Sequence, residues 1–410
     1  MKNPINLTKK TAAIRLPRRQ VLKLAIGSTV GAALLAGCSN GSRKSAEPST
    51  KIAPSGLEAK VGYLPITDGT SIVLPHALGY YGNEGIKVDR PKLIRGWSGI
   101  IEAFQSRQID IVHVLMPIAV NLRFGQDFPA KVVAWAHTDG SALTVRNDID
   151  SVEELAGKTV AVPFWHSIHN VAMQMLLRKA GLEPVTSGEP AKDSQSVKLV
   201  VMAPPDMLPA LANGSIAGYI VADPFNAAAE VKDAGKVLRF SGDIWLNHAC
   251  CVAIAHEDIT ERNPDLAQGL VNAISKSQLY ARNNRSETAA ILSKDGEGYL
   301  PQPLAAIERA LTHYDKTEYQ SSGAIQNSAW ENERIDFQPF PYPSYTKALV
   351  EHMKNTKIDG DQSFLQQLES ASAHEKLVDD RYVRNAIKSL GGPSAFDIPD
   401  SLAREETIEV

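Results

Sequence analysis

The chain runs to 410 residues, with 43 Lys and Arg against 46 Asp and Glu for a formal net charge of −3, and 43% of it is apolar. That is enough material for more than one buried core, while a total of three cysteines excludes a small disulfide-stapled scaffold. Beyond residue 37 no Lys/Arg cluster with interleaved aromatics occurs, so the electrostatic footprint of a nucleic-acid binder is missing and no nucleic acid is expected as a partner.

Residues 1–37 hold seven Lys or Arg and no Asp or Glu, and "PRRQVLKLA" leads into the apolar run "LAIGSTVGAALLAGC". This is the pattern of an export signal, and the run falls short of the roughly 20 residues that span a bilayer. Arg18 and Arg19, followed by Val21, Leu22 and Lys23, resemble the twin-arginine export motif, with Pro17 where Ser or Thr is usual; the Sec route is the alternative. "LAGC" resembles the bacterial lipobox, which implies lipidation of Cys38 and a membrane anchor there. The small, polar, Pro-containing stretch 38–57 has the composition of a flexible tether. Loss of 37 residues with seven positive charges takes the net charge from −3 to −10.

From Lys60 onward, β-rich apolar runs alternate with helical patterns, which predicts an α/β fold with largely parallel sheets. "AKVGYLP" is a strand, followed by a helix from Ser71; "IKVDRPKLI", "GWSGIIEAFQSRQ" and "IDIVHVLMP" continue as strand, helix and buried strand. A second series opens where Ser151 and Glu154 form a capping box. It runs through the strand "KTVAVP", the helix "HSIHNVAMQMLLRKAG" and the strand "VKLVVMAP", then the helix "PDMLPALANG" and the strand "IAGYIVAD". The strand "HACCVAIAHEDI" follows, then helical patterns at 264–294, 302–316, 343–356, 362–372 and 379–390. The expected organisation is a first lobe from 58–143 and 244–345, a second lobe from 144–243, and a C-terminal helical segment, 346–410, packed on the first. Crossings near 143–146 and 240–245 would form a hinge.

"GYLPITDGTSIVLPHALGYYGNEGI", "GKTVAVPFWHSIHN", "PPDMLPALANGSIAGYIVADPF" and "FQPFPYPSYTKAL" carry a family likeness. Together they resemble the solute-binding lipoproteins of nitrate, sulfonate and taurine type ABC importers, a superfamily that includes binders of thiamine-pyrimidine precursors. The resemblance implies a two-lobed periplasmic binding protein fold of type II, with mixed or parallel sheets flanked by helices and hinge crossings between the lobes. It implies a monomer, lipid-anchored on the periplasmic or extracytoplasmic side, that captures a small-molecule solute and delivers it to a permease. The ATPase and permease subunits would be separate chains, since no Walker A pattern is present. It implies neither an enzyme nor a cofactor.

In a parallel α/β lobe, ligands meet the turns leaving the carboxyl ends of strands, where helix N-termini expose N–H groups. That rule selects Thr67 and Asp68 after the first strand, Trp97 and Ser98 at the second turn, and Met116 at the third. In the second lobe it selects Trp165, His166, Ser167, His169, Asn170 and Asp223. His137 lies at the first crossing with Ser141, and His248, Cys250 and Cys251 lie at the second. Each has a plainer reading: Ser167, Asp68 and Asp223 as helix caps, the tryptophans as packing, the histidines as structural hydrogen-bond partners.

Metal binding is a rival, because His137, His166, His169, His248, Cys250 and Cys251 are zinc and copper ligand types. Against it, there is no C-x-x-C or H-E-x-x-H spacing, and adjacent cysteines on a strand point to opposite faces; no metal site is expected. A hydrolase lacks its G-x-S-x-G elbow, and the pyrimidine-synthesising branch of the superfamily has a cysteine-rich motif where this chain has only Cys250 and Cys251. Asp68 and Asp223 in one cleft would repel a bare anion, which places a sulfonate or taurine-like solute, or a pyrimidine-like one, ahead of nitrate.

Overall fold

Short runs of β-branched and other apolar residues build two mixed sheets. The computed structural model describes residues 56–190, 194–313, 315–330 and 333–410, all within a unit that spans Thr50–Val410. The expected export signal, Cys38 and most of the tether lie outside the described residues. In chain order the strands of the two sheets are β1 (Val61–Tyr63), β2 (Lys92–Leu93), β3 (Ile111–Leu115), β4 (Ala130–Trp135), β5 (Ser141–Val145), β6 (Thr159–Val162), β7 (Glu183–Val185), β8 (Ser196–Val201), β9 (Gly218–Ala222), β10 (Lys236–Phe240) and β11 (Cys251–His256).

The first sheet is ordered β2-β1-β3-β11-β4 and the second β7-β8-β6-β9-β5-β10. In the first, β1 runs parallel to β2 and β3 while β11 is antiparallel to β3 and β4. In the second, β7, β8, β6 and β9 are parallel and β5 is antiparallel to both β9 and β10. The sheets are therefore mixed, as the α/β, two-lobed expectation allowed. β3 and β9 are buried along their whole length, the signature of strands covered on both faces.

Five helices matter for the site: α1 (Thr70–Ala77), α2 (Trp97–Gln105), α3 (Ile168–Lys179), α4 (Phe225–Val231) and α5 (Pro264–Asn283). The helix expected over 264–294 breaks at Asn284, whose side chain donates to the Tyr280 carbonyl at 2.9 Å and so takes one of the terminal carbonyls; a separate helix covers Arg285–Leu292. The capping box expected at Ser151 does not form. Glu154 instead accepts from the Asp150 N–H at 2.9 Å around a 3-10 turn, Glu153–Leu155, which Gly157 at φ +71° ends.

The chain changes sheet between Trp135 and Ser141 and again between Phe240 and Cys251. At the first crossing Thr138–Asp139 pairs with Ile335–Asp336. At the second, the Leu246 N–H donates to Thr407 at 3.0 Å and Glu409 to Ile244 at 2.9 Å, so the C-terminal tail braces it. The segment expected to pack on the first lobe, 346–410, also reaches α3, because Asn170 and Gln174 donate to the Lys357 carbonyl. Residues 315–330, expected with the first lobe, lie against the second sheet: Tyr319, Ala324 and Trp330 pack with Val237 and Phe240 of β10.

Gly140 fixes the first crossing. Its φ of +82° favours glycine, and a Cβ there would meet the Ile335 side chain at 2.9 Å. Gly140→Ala is expected to lower stability by about 1–2 kcal/mol, read as a reduced urea midpoint with unchanged slope.

Candidate functional site

The turn after β1 is set by a histidine. Leu64 donates its N–H to His113 Nε2 at 3.0 Å, which requires a neutral ring, and burial holds the His113 pKa down at about 3. The chain then makes the 3-10 turn Thr67–Gly69 into α1, and Asp68 is left fully buried. Its Oδ2 lies 2.9 Å from His137 Nε2, 3.2 Å from Cys250 Sγ and 3.1 Å from Cys251 Sγ. Oδ1 has no hydrogen-bond partner among the described residues.

The adjacent cysteines thus converge, contrary to the expected divergence. Cys250 precedes the strand, which starts at Cys251, so the alternation of side chains along a strand does not relate the two. From the second sheet, Ser141 on β5 and His169 on α3 complete the group: Ser141 Oγ is 2.9 Å from His169 Nε2, and Cys250 Sγ is 3.7 Å from both. Neither His137 Nδ1 nor His169 Nδ1 has a partner among the described residues.

Burial, reinforced by the charge of Cys250, pushes the Asp68 pKa up to about 6. Burial works against a charged His137, but the Asp68 carboxylate outweighs it and raises that ring to about 10. Burial also opposes ionisation of Cys250, yet hydrogen bonding from Cys251 and the neighbouring His169 and His137 hold this thiol low, while burial and Cys250 push the Cys251 thiol up. Asp68, His137, Cys250 and Cys251 each offer one ligand atom within 4.8 Å of the other three. Chemically, the group can share protons, donate to and accept from a small solute, or coordinate a cation.

The remaining selected residues are engaged elsewhere. Thr67 donates both its N–H and its hydroxyl to the Asp223 carbonyl at 2.8 Å. Asp223 caps α4 by accepting from the Ala227 N–H at 3.0 Å, and its other oxygen lies 2.7 Å from Arg334 Nε. Arg334 continues to Glu230 at 2.8 Å, which also holds Arg309 at 3.1 Å and Tyr319 at 2.7 Å. Ser167 is the α3 cap, accepting from Asn170 at 3.0 Å, and the Asn170 amide clamps the Trp165 and Lys357 carbonyls. Trp165 and His166 are half-buried and line a shallow recess with Pro117, Met353, Ile358 and Leu365. Trp97 and Met116 are core residues, Trp97 meeting the His113 ring edge-on at 6.0 Å, and Ser98 is exposed.

Of the strand-end and crossing residues, then, the structure brings together Asp68, His137, Ser141, His169, Cys250 and Cys251. Arg334 and Glu230 escaped the sequence reading; each stands among other charged residues, 104 positions from the other, and only folding makes them an ion pair.

The NMT1-like family model matches residues 53–293, and the chain belongs to that family. It is 24% identical over 374 residues to the nitrate/nitrite binding protein NrtA of Nostoc, covering 80% of each chain. It is 26% identical over 315 residues to the nitrate import ATP-binding protein NrtC of Synechocystis, covering 72% of this chain but only 45% of that one. The crystal structure of the periplasmic nitrate-binding protein NrtA from Synechocystis superposes with a TM-score of 0.69 at 20% identity, over 87% of this chain and 94% of the other. At that identity the likeness speaks for the fold, and it bears out the two-lobed binding-protein architecture. The relatives are transport proteins, in line with a binding protein and against an enzyme. No helix among the described residues is long and apolar enough to cross a membrane.

Two outcomes follow from the charges and caps. Burial opposes the Glu230 carboxylate, but Arg334, Arg309 and Tyr319 hold its pKa down at about 2 from 4.5. A depressed pKa adds stability that is present above the unfolded value and lost as pH falls from 4.5 toward 2. An acid titration of unfolding free energy should lose about 3 kcal/mol through this group, and Glu230→Gln should flatten that limb. Ser167→Ala should cost about 1 kcal/mol in chemical unfolding, with the far-UV spectrum unchanged.

Proposed function

We propose that this protein is the solute-binding subunit of an ABC importer, which captures a small solute between its two sheets and hands it to a permease driven by an ATPase. The observation that carries the reading is the convergence of buried polar groups from both sheets on one point. Asp68, His137 and Cys250 come from the side of the first sheet and Ser141 and His169 from the second, with unused hydrogen-bonding atoms on Asp68, His137 and His169. A solute touching both sides is bound best when they are closed, so binding shifts the population toward the closed form. Signal removal ahead of Cys38 and lipidation there would hold the monomer on the extracytoplasmic side of the membrane.

Nitrate, in the names of both sequence relatives, suits this junction poorly. Asp68 and Cys250 bring negative charge, and the buried Arg334 is committed to Asp223 and Glu230. A zwitterion of the taurine kind, or an aminopyrimidine, supplies N–H donors for the carboxylate and matches the mixture of groups better.

Thermal unfolding of the full chain with taurine, nitrate and an aminopyrimidine tests the reading. At 100 times its Kd a solute adds about 2.7 kcal/mol to stability. We expect taurine or the aminopyrimidine to raise Tm, and His169→Ala to abolish the rise. If none of the three moves Tm, and native mass spectrometry of the chain from its own cells finds no small adduct, the solute-binding assignment fails.

A further inference from the structure

Asp68, His137, Cys250 and Cys251 were selected singly, as turn, crossing and strand residues, yet together they form a recognisable donor set. We propose that these four side chains bind one borderline-soft divalent cation of the zinc class. All four are fully buried, and one ligand atom of each lies within 4.8 Å of the other three. A tetrahedral ion with bonds of about 2.0–2.3 Å spaces its ligands about 3.3–3.8 Å apart. The distances from Asp68 Oδ2, 2.9 Å to His137 and 3.2 and 3.1 Å to the thiols, need only a few tenths of an ångström of expansion to reach that spacing.

The hydrogen bonding leaves the same atoms badly served. Three neighbours crowd Asp68 Oδ2 while Oδ1 has no partner among the described residues. His137 Nε2 faces both the Asp68 carboxylate, which needs a proton on that nitrogen, and the Cys251 N–H at 3.3 Å, which needs a lone pair. Buried polar atoms in such conflict call for a missing partner. A cation resolves the conflict, because carboxylate, imidazole and thiolates can all turn lone pairs on one centre. Two sulfurs, one nitrogen and one oxygen select zinc-like ions over the oxygen-seeking magnesium and calcium. Binding needs both sulfurs as thiolates and a lone pair on His137 Nε2, so any proton held on those three atoms leaves to solvent, and no electron is transferred.

All four ligands belong to the turns and crossing ends on the side of the first sheet, whereas Ser141 and His169, which cover Cys250, come from the second. Separation of the two sheets would uncover the ligands, and closure would bring His169 to the bound sulfur as a supporting hydrogen-bond partner. The inference goes beyond the import reading, since it requires neither a permease nor an organic solute.

The test is to titrate the reduced, chelator-stripped full chain with cobalt(II) as a coloured stand-in for zinc. We expect one cobalt per chain, with near-ultraviolet thiolate-to-cobalt absorption and the intense visible bands of a tetrahedral ion, both erased by one equivalent of zinc. Cys250→Ser and Cys251→Ser should each weaken binding by more than the roughly 10–100-fold lost when only a ligand's supporting partner is removed, and reduce the thiolate absorption, while Asp68→Asn should move the visible bands and leave that absorption in place. Saturation of the wild-type chain without thiolate absorption would overturn the proposal, as would unchanged affinity in the double serine variant. Cobalt binding without any response to organic solutes would leave this site standing and remove only an organic cargo; the opposite pattern would remove this site alone.

Discussion

The backbone and side chain of Asp223 tie the turn after β1 to the second sheet, the first crossing and Arg334. Its carbonyl receives both donors of Thr67 from the first sheet's turn, its N–H donates to Gly140 at the crossing, and its carboxylate holds Arg334. Arg334 in turn accepts the Gly140 N–H on its own carbonyl and donates from its guanidinium to Glu230. One residue thus joins both sheets, a crossing and the 315–334 segment. Because Asp223 is buried, loss of Arg334 would leave it as an uncompensated charge, which costs far more than the net worth of the pair; loss of Asp223 would still leave Arg334 paired with Glu230.

With that lock carrying the mechanical contact between the sheets, the neighbouring group around Asp68 is free of a structural duty that would saturate it. Ser167 and Asn170 have all their polar atoms committed to caps and clamps, whereas Asp68, His137 and His169 each keep a buried atom with no partner among the described residues. In a low-dielectric interior such atoms are costly. A fold tolerates the cost where a ligand, cation or proton supplies what the protein does not; among the other selected residues Trp97 Nε1 and His166 Nε2 are also without a partner among the described residues, but neither stands in the group around Asp68.

The alternation of apolar runs and helical patterns made the α/β class and most elements of the parallel series readable, since period and turn residues are local. β4, β5, β7 and β10 went unassigned: the pattern "KVVAWAHTDGSALTV" carries two strands in different sheets, with the left-handed Asp139 and Gly140 between them. The break at Asn284 and the failed box at Ser151 turn on single side-chain hydrogen bonds, which periodicity does not weigh. The strand-end rule selected Asp68 and His169, which the structure brings into one buried group around Cys250. It also swept in Ser98, which is exposed, and Thr67 and Asp223, whose donors and acceptors satisfy each other.

By itself the sequence determined the fold class, the family and the strand ends from which a site would be drawn, because those follow from local hydrophobic period, turn chemistry and motif order. Only the tertiary structure decided which of the candidates meet. Asp68 and Cys250 are 182 positions apart and Asp223 and Arg334 are 111 apart, and nothing local encodes either pairing. It also decided the direction of the two thiols, since Cys250 stands one residue before its strand begins. The register of β11 between β3 and β4, set by burial of all its residues, brings both sulfurs to one carboxylate oxygen.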